Sequence, residues 1–149
     1  MYLNKTYYDL QEQPQDMELL FAEKSEGREI KVLLLEDNTV NQILAVEMLA
    51  MLGIHNVHVA ENGIEGLKKI EIHKYDLIVT DIKMPYMDGI EFTLKVREME
   101  NYKNIPIIAM TSNVKEEQVI SYYNAGMNNC LMKPVDIRTF KKILGGYIY

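Results

Sequence analysis

The chain has 149 residues and a formal net charge of −6. This length fits one domain with a short tail and is enough to bury a hydrophobic core. The acidic balance argues against a nucleic-acid surface, which is normally basic. No apolar stretch is long enough to cross a bilayer, and the N-terminus lacks a signal-peptide pattern. The single cysteine, Cys130, cannot form an internal disulfide, so we expect a reducing, cytoplasmic setting.

The first 29 residues differ from the rest of the chain. They are polar, with Pro14 in the middle and Gly27 near the end. The segment 16–24 could form a short amphipathic helix capped by Asp16, or it could be a disordered leader. We therefore predict an N-terminal tail or linker over residues 1–29 and a folded domain over residues 30–149.

From Ile30 onward, short apolar runs alternate with helical patterns. The predicted strands are Lys31–Leu35, Asn56–Ala60, Asp76–Thr80, Ile105–Met110 and Asn129–Met132. The predicted helices follow them, over about 39–52, 63–73, 89–100 and 115–125, with a last helix from Asp136 that ends before Gly145. Five βα units in this order predict a parallel sheet with helices on both faces and right-handed crossovers.

Four of these apolar runs end in reactive side chains. These are Glu36 and Asp37, Asp81, Thr111, and Lys133. In open α/β sheets the functional site lies outside the carboxyl ends of the strands, so we expect these residues to converge in one cleft. Oxygen ligands together with one ammonium suit Mg²⁺ and a phosphoryl group.

The ordered set resembles the receiver domain of two-component response regulators, over about residues 30–144. The matching parts are the acidic pair Glu36 and Asp37, then Asp81 with the turn 84–89, then Thr111, and then Lys133 with Pro134. The resemblance implies a flavodoxin-like (βα)5 fold, a doubly wound parallel sheet with strand order 2-1-3-4-5. It also implies a cis peptide bond between Lys133 and Pro134.

The resemblance further implies a role for each acidic residue. Asp81 would take a phosphoryl group from a phosphohistidine, and Mg²⁺ would be bound by the carboxylates of Asp37 and Asp81 and by the backbone carbonyl of Lys83. Glu36 would reach the metal through water or tune the cluster. Such a domain is a signalling phosphoacceptor that catalyses its own phosphorylation and dephosphorylation, rather than an enzyme with a separate substrate.

Lys133 and Thr111 would complete the site. Lys133 would pair with Asp81 and then with the phosphoryl group, and Thr111 would hydrogen-bond that group. The alternatives are a solvated lysine before a turn-forming proline, and a segment Thr111 to Asn113 that simply caps the fourth helix. Within the turn 84–89, Gly89 is expected to adopt a backbone conformation that other residues resist.

Cys130 departs from the pattern, because receivers usually carry Tyr or Phe three residues before the lysine. We interpret Cys130 as a small core residue rather than a redox thiol, so we expect phosphorylation to be preserved without the aromatic switch. His55, His58 and His73 are not expected to form a metal site.

Two other functional classes share parts of this set of residues. A phosphatase of the haloacid dehalogenase type needs a second aspartate two residues after the nucleophile, but Lys83 occupies that position. A pseudo-receiver that binds partners without phosphorylation would be expected to lose one of the acids, and none is lost. Few residues follow the last predicted helix, so we expect a hybrid-kinase or stand-alone relay receiver without DNA-binding output.

The first predicted helix is apolar on nearly all sides. We expect a stripe of residues 44, 45, 48, 49 and 52 to face the sheet. The residues outside the stripe, Ile43, Val46, Ala50 and Met51, are predicted to dock a histidine kinase or histidine phosphotransfer domain. The alternative is that the tail, through Leu19 to Phe21, covers this patch.

Overall fold

The computed structural model describes residues 28–148, within which five parallel strands form one sheet in the order β2-β1-β3-β4-β5. The strands are β1 (Lys31–Leu35), β2 (Asn56–Ala60), β3 (Leu77–Asp81), β4 (Ile107–Thr111) and β5 (Asn129–Met132). The helices are α1 (Thr39–Met51), α2 (Gly63–Ile72), α3 (Gly89–Glu98), α4 (Glu116–Ala125) and α5 (Ile137–Ile148), with a 3₁₀ turn at Glu100–Tyr102. This is the predicted doubly wound topology. The proposed tail helix over 16–24 and the tail residues 19–21 lie outside the described residues.

Each face of the sheet has its own hydrophobic core. In β1, Leu33 and Leu35 contribute to the core that contains side chains of α2, α3 and α4, whereas Val32 and Leu34 contribute to the core that contains side chains of α1 and α5. All four side chains are fully buried. A strand buried on both faces explains the continuous apolar run in the sequence. Each such burial stabilises the fold by roughly 1.5–3 kcal/mol.

Polar side chains determine where most of the helices begin. Asn38, Asn62 and Asp88 each accept the backbone N–H three residues ahead, at 3.0, 2.9 and 2.9 Å, which fixes the first turns of α1, α2 and α3. The predicted cap at Asp136 is confirmed, because its Oδ1 accepts the N–H of Arg138 at 2.8 Å.

Helix α4 begins differently from the other helices. Its N-cap residue is Lys115, which makes no side-chain capping bond. The alternative in which Thr111, Ser112 and Asn113 only cap this helix is therefore wrong, because the segment ends too far before the first helical residue. The Asn113 side chain instead accepts the Lys115 N–H at 3.3 Å, within the loop.

Two strands and one helix differ most clearly from their predicted bounds, whereas the other helix ends differ by one or two residues. Strand β3 lies one residue later than predicted and so includes Asp81. Strand β4 begins only after Pro106, which has no N–H for the ladder. Helix α5 continues through Gly145 and Gly146 to Ile148. Glycine disfavours a helix by about 1 kcal/mol, but here the last turn packs against the core, and the Tyr147 hydroxyl donates to the Asn128 carbonyl at 2.9 Å.

Helix α1 faces the sheet with a narrower stripe than expected. Ala45, Leu49 and Leu52 are buried, but Leu44 is 53% exposed, so its predicted position against the sheet is wrong. The buried residues recur at four- and three-residue spacing, and Leu44 lies beside this stripe, where it lines a groove towards α5. No helix between residues 28 and 148 has the length and apolarity needed to cross a membrane.

Candidate functional site

The ammonium of Lys133 lies between two carboxylates at the carboxyl edge of the sheet. Its Nζ is 2.7 Å from Glu36 Oε2, just after β1, and 3.0 Å from Asp81 Oδ2, at the end of β3. Burial lowers the pKa of Lys133, but its hydrogen bonds and charge interactions with Glu36 and Asp81 outweigh that effect and raise the pKa above its ordinary value. Lys133 is therefore a cation held in place, and its interpretation as a solvated lysine is wrong.

Glu36 is fixed by the turn that joins β1 to α1. Its side chain is only 1% exposed, and Oε1 accepts the Asn38 N–H at 3.2 Å while Oε2 contacts Lys133. The Gln42 side chain donates to the Glu36 carbonyl at 2.7 Å, which closes the turn. Glu36 therefore orients Lys133, whereas the next residue, Asp37, is exposed at the mouth of the cleft.

Asp81 combines a fixed carboxylate with access from outside. Its Oδ1 accepts the Ile82 N–H at 2.7 Å, and its side chain remains 14% exposed. The Thr80 hydroxyl donates to the Asp81 carbonyl at 2.8 Å, which fixes the backbone at the strand end. An incoming group can therefore reach a carboxylate whose orientation is already set.

The three acids form a cluster that fits a hard divalent cation. One carboxylate oxygen from each of Glu36, Asp37 and Asp81 lies within 4.8 Å of the others. Oxygen donors of this kind are the ligands that Mg²⁺ prefers. Lys83 follows in an exposed part of the loop after β3, and its carbonyl remains a predicted ligand.

Gly89 is needed in this turn because it has no side chain, and not because it adopts unusual backbone angles. A Cβ at this position would overlap the Asp81 carbonyl oxygen, and the Gly89 N–H donates to the Ile82 carbonyl at 2.8 Å. Among the described residues the glycines in the left-handed region are Gly53 and Gly126, so the conformation predicted for Gly89 is wrong. In this turn it is Tyr86 that has a positive φ, of 68°.

Thr111 lies at the end of β4 and contacts the loop that follows. Its Oγ1 accepts the Asn113 N–H at 3.0 Å, and the Tyr122 hydroxyl, from α4, donates to the Asn113 carbonyl at 3.0 Å. Tyr122 was not identified from the sequence. The signal available was the spacing of Val119, Tyr122 and Ala125, which places the ring on the buried face of α4.

Two further expectations concern the segment around β5. The peptide bond between Lys133 and Pro134 is cis, as expected. Burial raises the pKa of the Cys130 thiol to about 11, and the side chain belongs to the core that contains α2–α4 side chains. This agrees with a small core residue, because a reactive thiol needs an accessible, electropositive setting.

The histidines lie away from this cleft. His58 is in the middle of β2, and its Nδ1 is 2.7 Å from the Tyr75 hydroxyl. His73, at the C-terminus of α2, contacts the His58 ring edge to face. His55 precedes β2.

The arrangement can be compared with known proteins. The family model described as the response regulator receiver domain matches residues 32–145. The chain belongs to this family. Receiver domains are the phosphate-accepting modules of two-component signalling; they bind Mg²⁺ at an acidic cluster and interact with histidine kinases or phosphotransfer domains.

Similar receivers occur in proteins of very different length. The chain is 35% identical to hybrid signal transduction histidine kinase G of Dictyostelium discoideum, over 89% of this chain and 4% of that protein. It is 31% identical to chemotaxis protein CheY-3 of Vibrio cholerae, over 79% of this chain and 91% of that protein. The chain therefore spans a small part of the kinase and matches most of the chemotaxis protein.

A solved structure supports the fold directly. The receiver domain of sensor histidine kinase PA1611 from Pseudomonas aeruginosa PAO1 matches with a TM-score of 0.75 and 36% identity. The match covers 81% of this chain and 98% of that domain, whose structure has a magnesium ion coordinated in the active site cleft.

Proposed function

We propose that this receiver accepts a phosphoryl group on Asp81 from the phosphohistidine of a partner protein. The observation that carries the proposal is the position of Lys133, whose ammonium contacts Asp81 and the buried Glu36 at the same time. The cleft thus holds a nucleophilic carboxylate, a fixed cation and an acidic cluster within reach of one another. These are the parts that phosphoryl transfer requires, because its catalysis is mostly positioning and charge neutralisation.

The proposed step balances as a simple displacement. An oxygen of the Asp81 carboxylate forms a new bond to phosphorus, and the bond from phosphorus to the donor imidazole nitrogen breaks. The electron pair of the broken bond remains on that nitrogen. The partner histidine leaves as neutral imidazole when its other ring nitrogen carries a proton, and otherwise takes up a proton from solvent to become neutral. Lys133 stays protonated throughout and pairs with a phosphoryl oxygen, while Glu36 keeps it in place.

We infer that Asp37, Asp81 and the Lys83 carbonyl would hold Mg²⁺ in this cleft. When bound, the metal would supply positive charge that offsets the charge of the phosphoryl oxygens. Glu36 has both carboxylate oxygens engaged by Lys133 and Asn38. We therefore assign Glu36 mainly to orienting Lys133, and Thr111 to a hydrogen bond with the phosphoryl group.

The domain boundaries follow from the same proposal. We assign residues 30–149 to the receiver and residues 1–29 to a tail or linker. The similarity to hybrid kinases and to a chemotaxis protein supports either a receiver of a hybrid kinase or a stand-alone relay protein. In both cases the donor would be a histidine kinase or a histidine phosphotransfer domain.

The phosphorylation site can be tested with a small phosphodonor. Incubation with acetyl phosphate and Mg²⁺ should add one phosphoryl group, measured by intact-protein mass. Asp81→Asn should abolish this gain, and excess chelator should reduce it strongly. The matched control is Asp76→Asn, which makes the same change next to the opposite end of β3 and should label normally. Full labelling of Asp81→Asn would refute the assignment.

We propose that the partner docks on α1 beside the cleft. Ile43 and Leu44 are 58% and 53% exposed, and Met51 is 36% exposed. Leu44 also lines a groove of about 110 Å³ whose walls include Glu36, Lys133 and Pro134, so the apolar surface is continuous with the reactive residues. Val46 packs partly against the core and Ala50 is half-buried, which leaves Ile43 as the best position to test.

The docking face can be tested without disturbing the site. Ile43→Glu should reduce phosphotransfer from a phosphorylated histidine domain by at least about tenfold, while labelling by acetyl phosphate stays normal. Ile72→Glu is the matched control, because Ile72 is 76% exposed at the end of α2. If both variants accept phosphoryl groups from the partner as the wild type does, α1 is not the docking face.

A further inference from the structure

The hydroxyl of Thr111 makes only long, weak contacts as a donor in this structure. Its Oγ1 accepts the Asn113 N–H at 3.0 Å, but the two oxygens nearest to it are the Tyr122 hydroxyl at 3.4 Å and the Asn113 carbonyl at 3.5 Å. Hydroxyl hydrogen bonds are normally 2.5–3.0 Å long. Thr111 can therefore donate to an oxygen that enters the cleft without breaking a short hydrogen bond in which it is the donor, although turning towards that oxygen moves Oγ1 away from the Asn113 N–H.

Tyr122 restrains the loop to which Thr111 is bonded. Its side chain is 1% exposed, and its hydroxyl donates to the Asn113 carbonyl at 3.0 Å. Thr111, Asn113 and Tyr122 thus form a small network that joins the end of β4 to α4. Loop 112–115 has no side-chain capping bond to α4, so this buried hydroxyl connects the loop to the body of the helix.

Strand β5, which lies next to β4, has no aromatic side chain that could fill the space beside this network. Thr111 of β4 pairs with Met132 of β5, and Ala109 pairs with Cys130, so none of the side chains beside the network on these two strands is aromatic. Tyr122 and Cys130 belong to the same core. The aromatic ring that fills this region is therefore supplied by a helix, and any movement of the ring or of its hydroxyl partner acts directly on α4.

We propose that Tyr122 is a positioning residue that couples Thr111 to α4. The inference rests on the proposed phosphorylation of Asp81. When Thr111 turns to a phosphoryl oxygen, its Oγ1 leaves the Asn113 N–H. The Asn113 backbone then shifts, and the hydrogen bond from Tyr122 transmits the shift to the helix. In the unmodified protein the same hydrogen bond holds the loop in place.

The test is hydrogen exchange in the peptide 111–119, with and without beryllofluoride and Mg²⁺ as a stable mimic of the phosphoryl group. Tyr122→Phe keeps the ring and removes the hydroxyl. In the unmodified state, loop exchange in this variant should rise about fivefold, as expected for the loss of one buried hydrogen bond. The further change on adding beryllofluoride should largely disappear. Labelling by acetyl phosphate should stay within about twofold of the wild type, because Tyr122 does not contact Asp81.

The controls distinguish failure of the proposed phosphorylation from failure of the inference about Tyr122. Tyr147→Phe removes a hydroxyl that donates to the Asn128 carbonyl at 2.9 Å, outside the peptide 111–119, so this peptide should respond as in the wild type. If the wild type gains no phosphoryl group, the proposed function fails and this inference fails with it. If labelling is normal and Tyr122→Phe shows the full response of the loop, the inference alone is refuted. If Tyr122→Phe raised hydrogen exchange throughout the core, Tyr122 would have only a packing role, and the inference would also be refuted.

Discussion

At the scale of single residues, Lys133 is the group whose loss would disturb the cleft most. Its ammonium contacts both Glu36 and Asp81, and the Glu36 side chain has almost no access to water. A buried carboxylate without a partner is costly, because the protein interior cannot replace its hydration. Lys133 therefore contributes to stability as well as to the proposed chemistry.

Lys133→Ala should lower the free energy of unfolding by about 3 kcal/mol, since it leaves Glu36 buried and unpaired. Urea unfolding measured without Mg²⁺ tests this directly. Lys68→Ala is the control, because Lys68 is exposed on α2, and it should change stability by no more than about 0.5 kcal/mol. Equal effects of the two substitutions would mean that Glu36 does not depend on the lysine.

Cys130 should react with alkylating agents only slowly, and more rapidly as the pH rises. The thiolate is the reactive form, and burial raises the pKa of Cys130 to about 11. Below that pKa the alkylation rate of the folded protein should therefore increase about tenfold per pH unit. In the urea-unfolded chain the rate should level off above about pH 8.5, the ordinary cysteine pKa. The same plateau in the folded protein would contradict the buried position of this thiol.

At the scale of elements, hydrophobic pattern predicted the strands well and the ends of helices less well. The bounds of β1, β2 and β5 are those expected, because each is an isolated run between turn residues. The end of α5 was missed. Glycine propensity argues for a stop at Gly145, whereas packing of Tyr147 and Ile148 against the core extends the helix. Propensity is local, and such contacts depend on the whole fold.

Contacts that depend on the whole fold also limited what could be predicted of the candidate site. Convergence of Asp37, Asp81 and Lys133 follows from strand order and could be predicted. The pairing of Glu36 with Lys133 and the hydrogen bond from Tyr122 to Asn113 could not be predicted. Both depend on distances between elements and on the rotamers that the core permits. Pattern alone also could not show that Gly89 is needed for space beside the Asp81 carbonyl.

Two glycine-to-alanine substitutions should have opposite effects. Gly145→Ala adds a methyl group on α5 where nothing lies within 4 Å, so it should stabilise the protein by about 1 kcal/mol. Gly89→Ala would force the new methyl group against the Asp81 carbonyl, and should destabilise by about 2–3 kcal/mol and reduce labelling by acetyl phosphate. Thermal unfolding and labelling of both variants test the pair. If Gly89→Ala left the stability unchanged, the close approach of residue 89 to the Asp81 carbonyl would be contradicted.

At the scale of the whole molecule, stability should depend on Mg²⁺. A ligand that binds the folded state alone stabilises it by about 1.4 kcal/mol at ten times its Kd. The melting temperature should therefore rise with Mg²⁺ concentration, and Asp37→Asn should remove most of the rise. Without metal the same substitution should be neutral or stabilising, because it removes a negative charge from the acidic cluster.

The control for the metal effect is Glu71→Gln, which removes an exposed acid from α2, outside the cluster, and should leave the dependence on Mg²⁺ unchanged. A melting temperature that rises equally in Asp37→Asn and the wild type would mean that the metal acts elsewhere.

The central claim is that Asp81 carries the phosphoryl group, and chemical trapping tests it most directly. Borohydride reduces an acyl phosphate of aspartate to homoserine, which peptide mass spectrometry locates in the sequence. After phosphotransfer from a histidine domain and reduction, we expect homoserine at position 81, with unmodified aspartate at positions 37, 76 and 88. Homoserine at any of those three positions, or none at 81 in a protein that has gained a phosphoryl group, would contradict the account.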